Sequence, residues 1–498
     1  MKFLRLKTKH RKNLERLRRE HWLWWTLFIN LIIILSIIFA VKSAFQFLPP
    51  TIPLNYLAPW GEKMLVTKNQ IYIPIIAMIM FFGVNFALAC KEIIKDNLRI
   101  TKFYLVTSVA ISVILSLYVL RIIDIVSLKT FTVPIEIKLF IVPITAALVT
   151  TMIATPLVIK LAHKYNFMDD PLVHKHPGML ITKPTPRAGG LAFYLGVSIP
   201  AIFLLPISTS QKLIGIFIGA GICVWVGLKD DQKDTSPYLR LGLQVLAALI
   251  VVLSGIILIY VPNPFGNAVL LDNYRIVLDF LGSTHTVYYF SVIAAVIWMM
   301  WVMNFMSWAN GSDGVYAGLI TVTALVMAIL MYGNISSDPN LGGFIKLSAL
   351  IVGAGLGMAY FTWPPQKLLW GFGATAAGLM IAALSILGST KVSTTLLILM
   401  IPFLDGVFAV IRRLRRGQLP FWGDREHFHH KLLEGYGWSK QRVALFYWSS
   451  AAMLGVVGLL TSGKSKALSV ASVGILVILL ISVVANIKFS IKSQAGKK

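Results

Sequence analysis

The chain has 498 residues, 57% of them hydrophobic and only 13% charged, with a mean hydropathy of +0.76. Soluble domains carry about a quarter charged residues, so this composition excludes an ordinary soluble protein and points to an integral membrane protein. The formal charge of +26 comes from 46 Lys and Arg against 20 Asp and Glu. These cations are scattered over short loops, which favours membrane topology over nucleic-acid binding.

In chain order, a basic tail over residues 1–21 precedes the apolar run Trp22 to Val41, which is too long for a signal-peptide core and reads as an uncleaved first span. Further runs lie at 71–90, 103–123, 139–161, 189–206, 212–228, 241–261, 286–303, 315–333, 343–361, 371–388, 393–411, 443–461 and 466–487. Each is about twenty residues, long enough to cross a bilayer as a helix and too long for a barrel strand. The expected fold is all-α, a polytopic integral membrane bundle of about fourteen transmembrane helices. Residues 22–138 form an additional N-terminal module of three spans without a catalytic constellation. Residues 139–487 form a domain of about eleven helices, and 488–498 a second basic cytoplasmic tail. Cys90 and Cys223 lie in apolar runs as packing residues.

Basic flanks after the second and twelfth spans, "KEIIKDNLRITK" and "RRLRRG", place even-numbered span ends in the cytoplasm. The polar segments after spans four, six, eight, ten and twelve then share one face. In "GLKDDQKD", Asp230 and Asp231 are adjacent carboxylates where a span leaves the membrane. A divalent cation or a nearby base would offset their repulsion, and a solvated helix end is the plainer explanation. In "NFMSWANGSDGVYAG", Asn304, Ser307, Asn310 and Asp313 fall at three-residue steps, on one side if the stretch is helical. Simple N-capping would account for Asp313 alone.

"KPTPRAGGLAF" places Lys183 and Arg187, both suited to phosphate, before Gly189 and Gly190, which allow close backbone approach. Positive-inside charge explains the same two cations equally well. "FWGDREHFHHKLLEGYG" gathers Arg425, His427, His429 and His430 between two apolar runs. No zinc-finger spacing fits, and imidazoles with arginines suit a diphosphate better than a solvated loop does.

The order of these motifs resembles the polyprenyl-phosphate N-acetylhexosamine-1-phosphate transferases (the WecA and MraY type of glycosyltransferase family 4), over roughly Phe140 to Leu460. "DREHFHHKLL" looks closer to the N-acetylhexosamine branch than to the muramoyl-pentapeptide branch. The resemblance implies a membrane enzyme that moves a phosphosugar from a UDP-sugar to polyprenyl phosphate, releases UMP and begins a cell-envelope glycan. It implies catalytic roles for Asp230, Asp231 and Asp313, with Asp231 and Asp313 as ligands of Mg²⁺ or Mn²⁺. It implies substrate binding by Lys183, Arg187, Asn304, Asn310, Arg425, His427, His429 and His430. Two family acids are replaced. Asn310 stands at the first acid of the Asp-Gly-x-Asp-Gly motif, and Phe372 at the aspartate of the Met-Gly-Asp segment.

The expected partners are the UDP-sugar, the polyprenyl phosphate and the lipid bilayer, with no nucleic acid and with homodimerisation left open. The expected location is the plasma (inner) membrane, with the active site facing the cytoplasm. Two other readings remain: a relative that binds lipid phosphate or nucleotide-sugar without turnover, and a transporter. A transporter should carry repeat symmetry and mid-membrane polar groups, whereas these lie at span ends.

Overall fold

A computed structural model describes residues 16–17, 20–54, 64–126, 134–171, 181, 183–206, 210–232, 235–261, 269–280, 283–387, 392–419 and 425–485. The segment 172–180, Asp234 and the residues 420–424 that open the histidine stretch lie outside the described residues.

The chain divides into two compact units, Met1–Ile135 and Glu136–Lys498. The first holds α1 (His21–Ala44), α2 (Tyr72–Ile94) and α3 (Leu98–Val126), with a short ribbon of β1 (Thr51–Pro53) and β2 (Leu65–Thr67). Its core is aliphatic, built on Ile37, Val41, Ile75, Met78, Val119 and Ile122. One polar link crosses it: Ser112 Oγ donates to Asn30 Oδ1 at 2.6 Å, and Asn30 Nδ2 donates to the Thr26 carbonyl at 2.9 Å. Both polar groups are thereby satisfied where no water reaches them.

The second unit contains α4 (Val142–Tyr165), α5 (Gly189–Leu204), α6 (Gln211–Gln232), α7 (Pro237–Leu253), α8 (Tyr289–Ala309), α9 (Val315–Tyr332), α10 (Leu341–Thr362) and α11 (Ala374–Ile386). It continues through α12 (Val392–Ile398), α13 (Met400–Arg415), α14 (Lys440–Leu460) and α15 (Gly463–Ala485). The protein is an all-α polytopic membrane protein. Among the described residues, ten helices are long and apolar enough to cross a membrane, or eleven if α12 and α13 make one span. Three further apolar helices, α5, α7 and α11, are shorter, and they occupy three of the expected spans.

Two local departures from the expected elements stand out. The expected span 393–411 is bent by 83° between α12 and α13. Pro402 lies in the first turn of α13, and its missing N–H would have bonded to the Ile398 carbonyl at the end of α12. The expected span 241–261 ends as a helix at Leu253. Beyond it come β5 (Tyr260–Val261) paired with β6 (Val269–Leu270), and the hairpin of β7 (Ile276–Phe280) with β8 (Ser283–Val287).

At one end of this unit the backbone is drawn tight. Gly189 N–H donates to Leu369 O at 2.8 Å, and Gly190 N–H donates to Trp370 O at 2.9 Å. A Cβ on Gly190 would run into the Gly373 backbone, so this approach requires glycine. The ribbon of β3 (Met168–Asp169) and β4 (Thr185–Pro186) lies beside it, with Leu369 N–H donating to Pro186 O at 2.8 Å.

Candidate active site

Four segments far apart in sequence build an acid cluster at that end. Asp230 and Asp231 close α6 and are buried, at 2% and 6% exposure. Arg187, just after β4, lies between them and Asp169 of β3. Its Nε is 2.8 Å from Asp231 Oδ1, while its terminal nitrogens are 4.0 Å from Asp230 Oδ2 and Asp169 Oδ2. Asp230 Oδ1 accepts from Thr235 N–H at 3.0 Å and Thr235 Oγ1 at 2.7 Å, and Oδ2 pairs with Arg240 at 3.2 Å. Phe372 N–H reaches Asp231 Oδ1 at 3.4 Å, and the Phe372 ring packs on the Arg240 guanidinium, 5.3 Å from the ring centroid. Gly371, at φ +64°, brings the backbone so near Asp231 that a side chain there would strike the carboxylate.

A second cluster forms where α8 ends. The turn Asn310–Gly314 breaks the helix, so Asn304, Ser307, Asn310 and Asp313 do not form one helical row. Asn304 Nδ2 donates to Gln244 Oε1 at 3.1 Å and to its own helix at Met300 O, 2.8 Å. Asn310 is the C-cap of α8. Asp313 does not cap α9, whose N-cap is Gly314 at φ +79°. It pairs instead with Lys440 of α14, Oδ1 to Nζ at 2.9 Å.

The histidine stretch folds over this turn. His427 Nδ1 is 2.9 Å from Asp405 Oδ2, and its Nε2 is 3.3 Å from Arg413. Arginine can only donate, so His427 Nε2 accepts and Nδ1–H donates to the carboxylate. Asp405 Oδ1 also accepts from Phe428 N–H at 2.9 Å, which ties the stretch to α13. The His427 and His429 rings stack at 5.7 Å, and His430 follows at 4.3 Å from His429.

His429 is 1% exposed and lies against Gly311, where a Cβ would collide with its ring. Neither of its ring nitrogens has a hydrogen-bond partner among the described residues, and the same holds for Ser312 Oγ beside it. Burial, and then the neighbouring His430 and His427, hold the His429 imidazole well below its ordinary pKa, so it stays neutral.

Two expected substrate-binding residues stand apart from these buried groups. Lys183 is exposed, and its carbonyl accepts from Thr185 Oγ1 at 2.9 Å. Arg425 is half exposed and lies 3.9 Å from Glu434. Four residues that complete the clusters, Asp169, Arg240, Asp405 and Lys440, are not among the sequence candidates. Asp405 carries a readable signal, a lone acid inside an apolar run, because such a charge is costly without a function or partner.

The expected Mg²⁺ or Mn²⁺ meets a poor donor set. Mg²⁺ requires near-octahedral oxygen ligands at about 2.0–2.1 Å. Asp231 and Asp230 are already engaged by arginines and backbone or hydroxyl donors, and Asp313 by Lys440. Among the described residues no group of three or more His, Cys, Asp or Glu side chains is placed to hold a metal ion. As they are paired here, the described residues do not fit a protein-held divalent ion.

Residues 213–389, which span the Asp230–Asp231 pair, the Asn310–Gly314 turn and the Gly371–Gly373 turn, match the family described as glycosyl transferase family 4. Over that stretch the chain is similar to this family. Among curated proteins the similarity is to N-acetylglucosamine-phosphate transferases. A probable undecaprenyl-phosphate N-acetylglucosaminyl 1-phosphate transferase of Bacillus subtilis is 26% identical over 339 residues, 67% of this chain and 87% of that protein. A decaprenyl-phosphate N-acetylglucosaminephosphotransferase of Mycobacterium leprae is 28% identical over 335 residues, covering 61% of this chain and 79% of its own. An undecaprenyl-phosphate alpha-N-acetylglucosaminyl 1-phosphate transferase of Yersinia pestis is 28% identical over 313 residues, 60% of this chain and 79% of that one.

Proposed function

We propose that the protein transfers an N-acetylhexosamine 1-phosphate from a UDP-sugar to a polyprenyl phosphate, releasing UMP and beginning a cell-envelope glycan. The observation that carries this reading is the gathering of two buried polar clusters, one of acids with arginines and one of histidines, at the same ends of the helices. An acceptor phosphate oxygen attacks the sugar-bearing β-phosphorus. A new P–O bond forms, and the P–O bond to UMP breaks with its electron pair going to UMP. With a dianionic acceptor the charges balance without net proton transfer, so the main demand is neutralising phosphate charge during the exchange.

Arg187 and Arg240 supply permanent positive charge beside Asp230 and Asp231. The unpaired nitrogens of His429 and the hydroxyl of Ser312 offer hydrogen bonds to the donor's phosphates or sugar. His427, held by Asp405 and Arg413, fixes the ring stack rather than contacting substrate.

The site faces the cytoplasm of the plasma membrane in this reading. The support is the run Arg412, Arg413, Arg415 and Arg416 at the end of α13, followed at once by the histidine stretch. Cysteines introduced at the exposed positions Lys183 and Gln418 should react with impermeant reagents only from the cytoplasmic side. Function is tested by UMP release from a panel of UDP-sugars in membranes supplied with polyprenyl phosphate. Release with a UDP-N-acetylhexosamine is expected. Its absence with every donor would leave a protein that binds these ligands without turning them over.

A further inference from the structure

We propose that Arg187 is the built-in cation of this site, standing where a divalent ion would otherwise bridge the carboxylates, so that phosphate handling here needs no protein-held metal. The proposal rests on the phosphosugar-transferase reading for its reaction and on geometry for its residue. Three carboxylates, Asp169, Asp230 and Asp231, converge on one guanidinium at 4.0, 4.0 and 2.8 Å. Both aspartates of the pair have side chains only 1% exposed, while that of Arg187 is 19% exposed. A buried carboxylate pair without a counter-charge is strongly disfavoured, and an arginine supplies that charge at every accessible pH.

Arg187 is held in place by its backbone as much as by its head group. Its N–H donates to Phe167 O at 2.8 Å, and it forms an isolated bridge with Leu369. The preceding Thr185 pairs with Asp169 across the β3–β4 ribbon, so the cation and one of its acids are carried on a single small element. The loop that faces Asp231 from the other side contributes a backbone N–H and the Phe372 ring, and no oxygen acceptor from that ring. A divalent ion entering this space would have to displace the guanidinium and tolerate Arg240 beside it.

The test uses the full-length protein in detergent or nanodiscs, freed of metal with EDTA. Mn²⁺ binding is followed by electron paramagnetic resonance, and UMP release from UDP-N-acetylglucosamine with polyprenyl phosphate is followed in parallel. The native protein is expected to hold no Mn²⁺ tightly and to keep its turnover within about twofold in EDTA. Arg187→Ala removes the cation shared by three carboxylates and should gain one Mn²⁺ per chain, bound at least about tenfold more tightly than by the native protein, with turnover lost in EDTA and partly restored by Mg²⁺. Arg187→Lys keeps a charge in the cluster and should gain no such ion. Arg187→Ala combined with Asp231→Asn should lose the gained ion.

One Mn²⁺ held by the native protein and lost in Asp231→Asn would overturn the proposal. Native turnover abolished by EDTA and restored by Mg²⁺ would overturn it equally. If no condition gives UMP release, the transferase reading fails, and the Mn²⁺ measurements on the five proteins still decide the role of Arg187.

Discussion

The acid cluster around Asp231 and the histidine cluster around His429 are both buried and polar, yet they are completed in opposite ways. Among the described residues, the Asp230–Asp231 pair meets donors and cations: Arg187, Arg240, Thr235 and the Phe372 N–H. In the histidine cluster, His427 is tied on both sides by Asp405 and Arg413, while the next ring in the stack, His429, has no hydrogen-bond partner among the described residues. Buried polar groups are normally satisfied, and an unsatisfied one in a native site points to a missing ligand. The acid cluster is therefore internally paired, while the histidine cluster keeps one buried ring whose nitrogens have no partner among the described residues.

The largest effect that could break this comparison is at Asp231. Asp231→Asn removes the short contact to Arg187, and UMP release should fall about 100-fold or more while the protein remains inserted and folded. Near-normal turnover would show the cluster to be a structural helix end. Next comes His427→Phe, which leaves Asp405 and Arg413 buried without the ring that bridges them. A loss of about 3 kcal/mol is expected, read as an earlier thermal unfolding transition. His429→Phe should behave differently. It removes no hydrogen bond made within the described protein, so stability should stay within about 1 kcal/mol, while the KM for the UDP-sugar should rise about tenfold. A destabilisation as large as that of His427→Phe would mean that His429 is an ordinary core residue.

The pH dependence sharpens the same contrast. Burial depresses the His429 pKa, so as pH falls the unfolded chain takes up this proton before the folded one does. The stability contributed by the neutral ring is complete above about pH 6.5, the ordinary imidazole value, and is lost as pH falls from there through the depressed folded value. His429→Phe should flatten that part of a melting-temperature profile between pH 7.5 and pH 5, and an unchanged slope would assign it to other groups. The smallest effect belongs to Glu426, 38% exposed, which pairs with the exposed Arg416 at 2.6 Å and with Arg412 at 3.1 Å. Glu426→Gln should alter stability by about 0.5 kcal/mol or less.

Much of the site's chemistry was legible in the sequence, and little of its pairing was. The adjacent Asp230 and Asp231, the histidine stretch and the glycines before α5 all stand out because polar residues are rare in such an apolar chain. Their partners do not stand out. Arg240 sits in an ordinary helix-opening segment, and Lys440 opens α14 as one of many scattered lysines. The three-residue steps from Asn304 to Asp313 suggested one helical face, but Gly311 and the positive φ of Gly314 turn the chain out of the helix before Asp313. The hairpin Ile276–Val287 was missed because its strands lie in a loop between apolar runs, where hydropathy carries no signal of pairing.

The sequence by itself determined that the chain lives in a membrane, roughly where its helices run and which segments are polar, because apolar length and local charge are properties of neighbouring residues. The tertiary structure alone decided that span 393–411 is bent by 83°, that Arg187 and not a further acid meets Asp231, and that His427 is held while His429 is left open. Those outcomes depend on residues tens to hundreds of positions apart being brought within about 3 Å of each other, where hydrogen bonds and close charge pairs act and which no local pattern encodes.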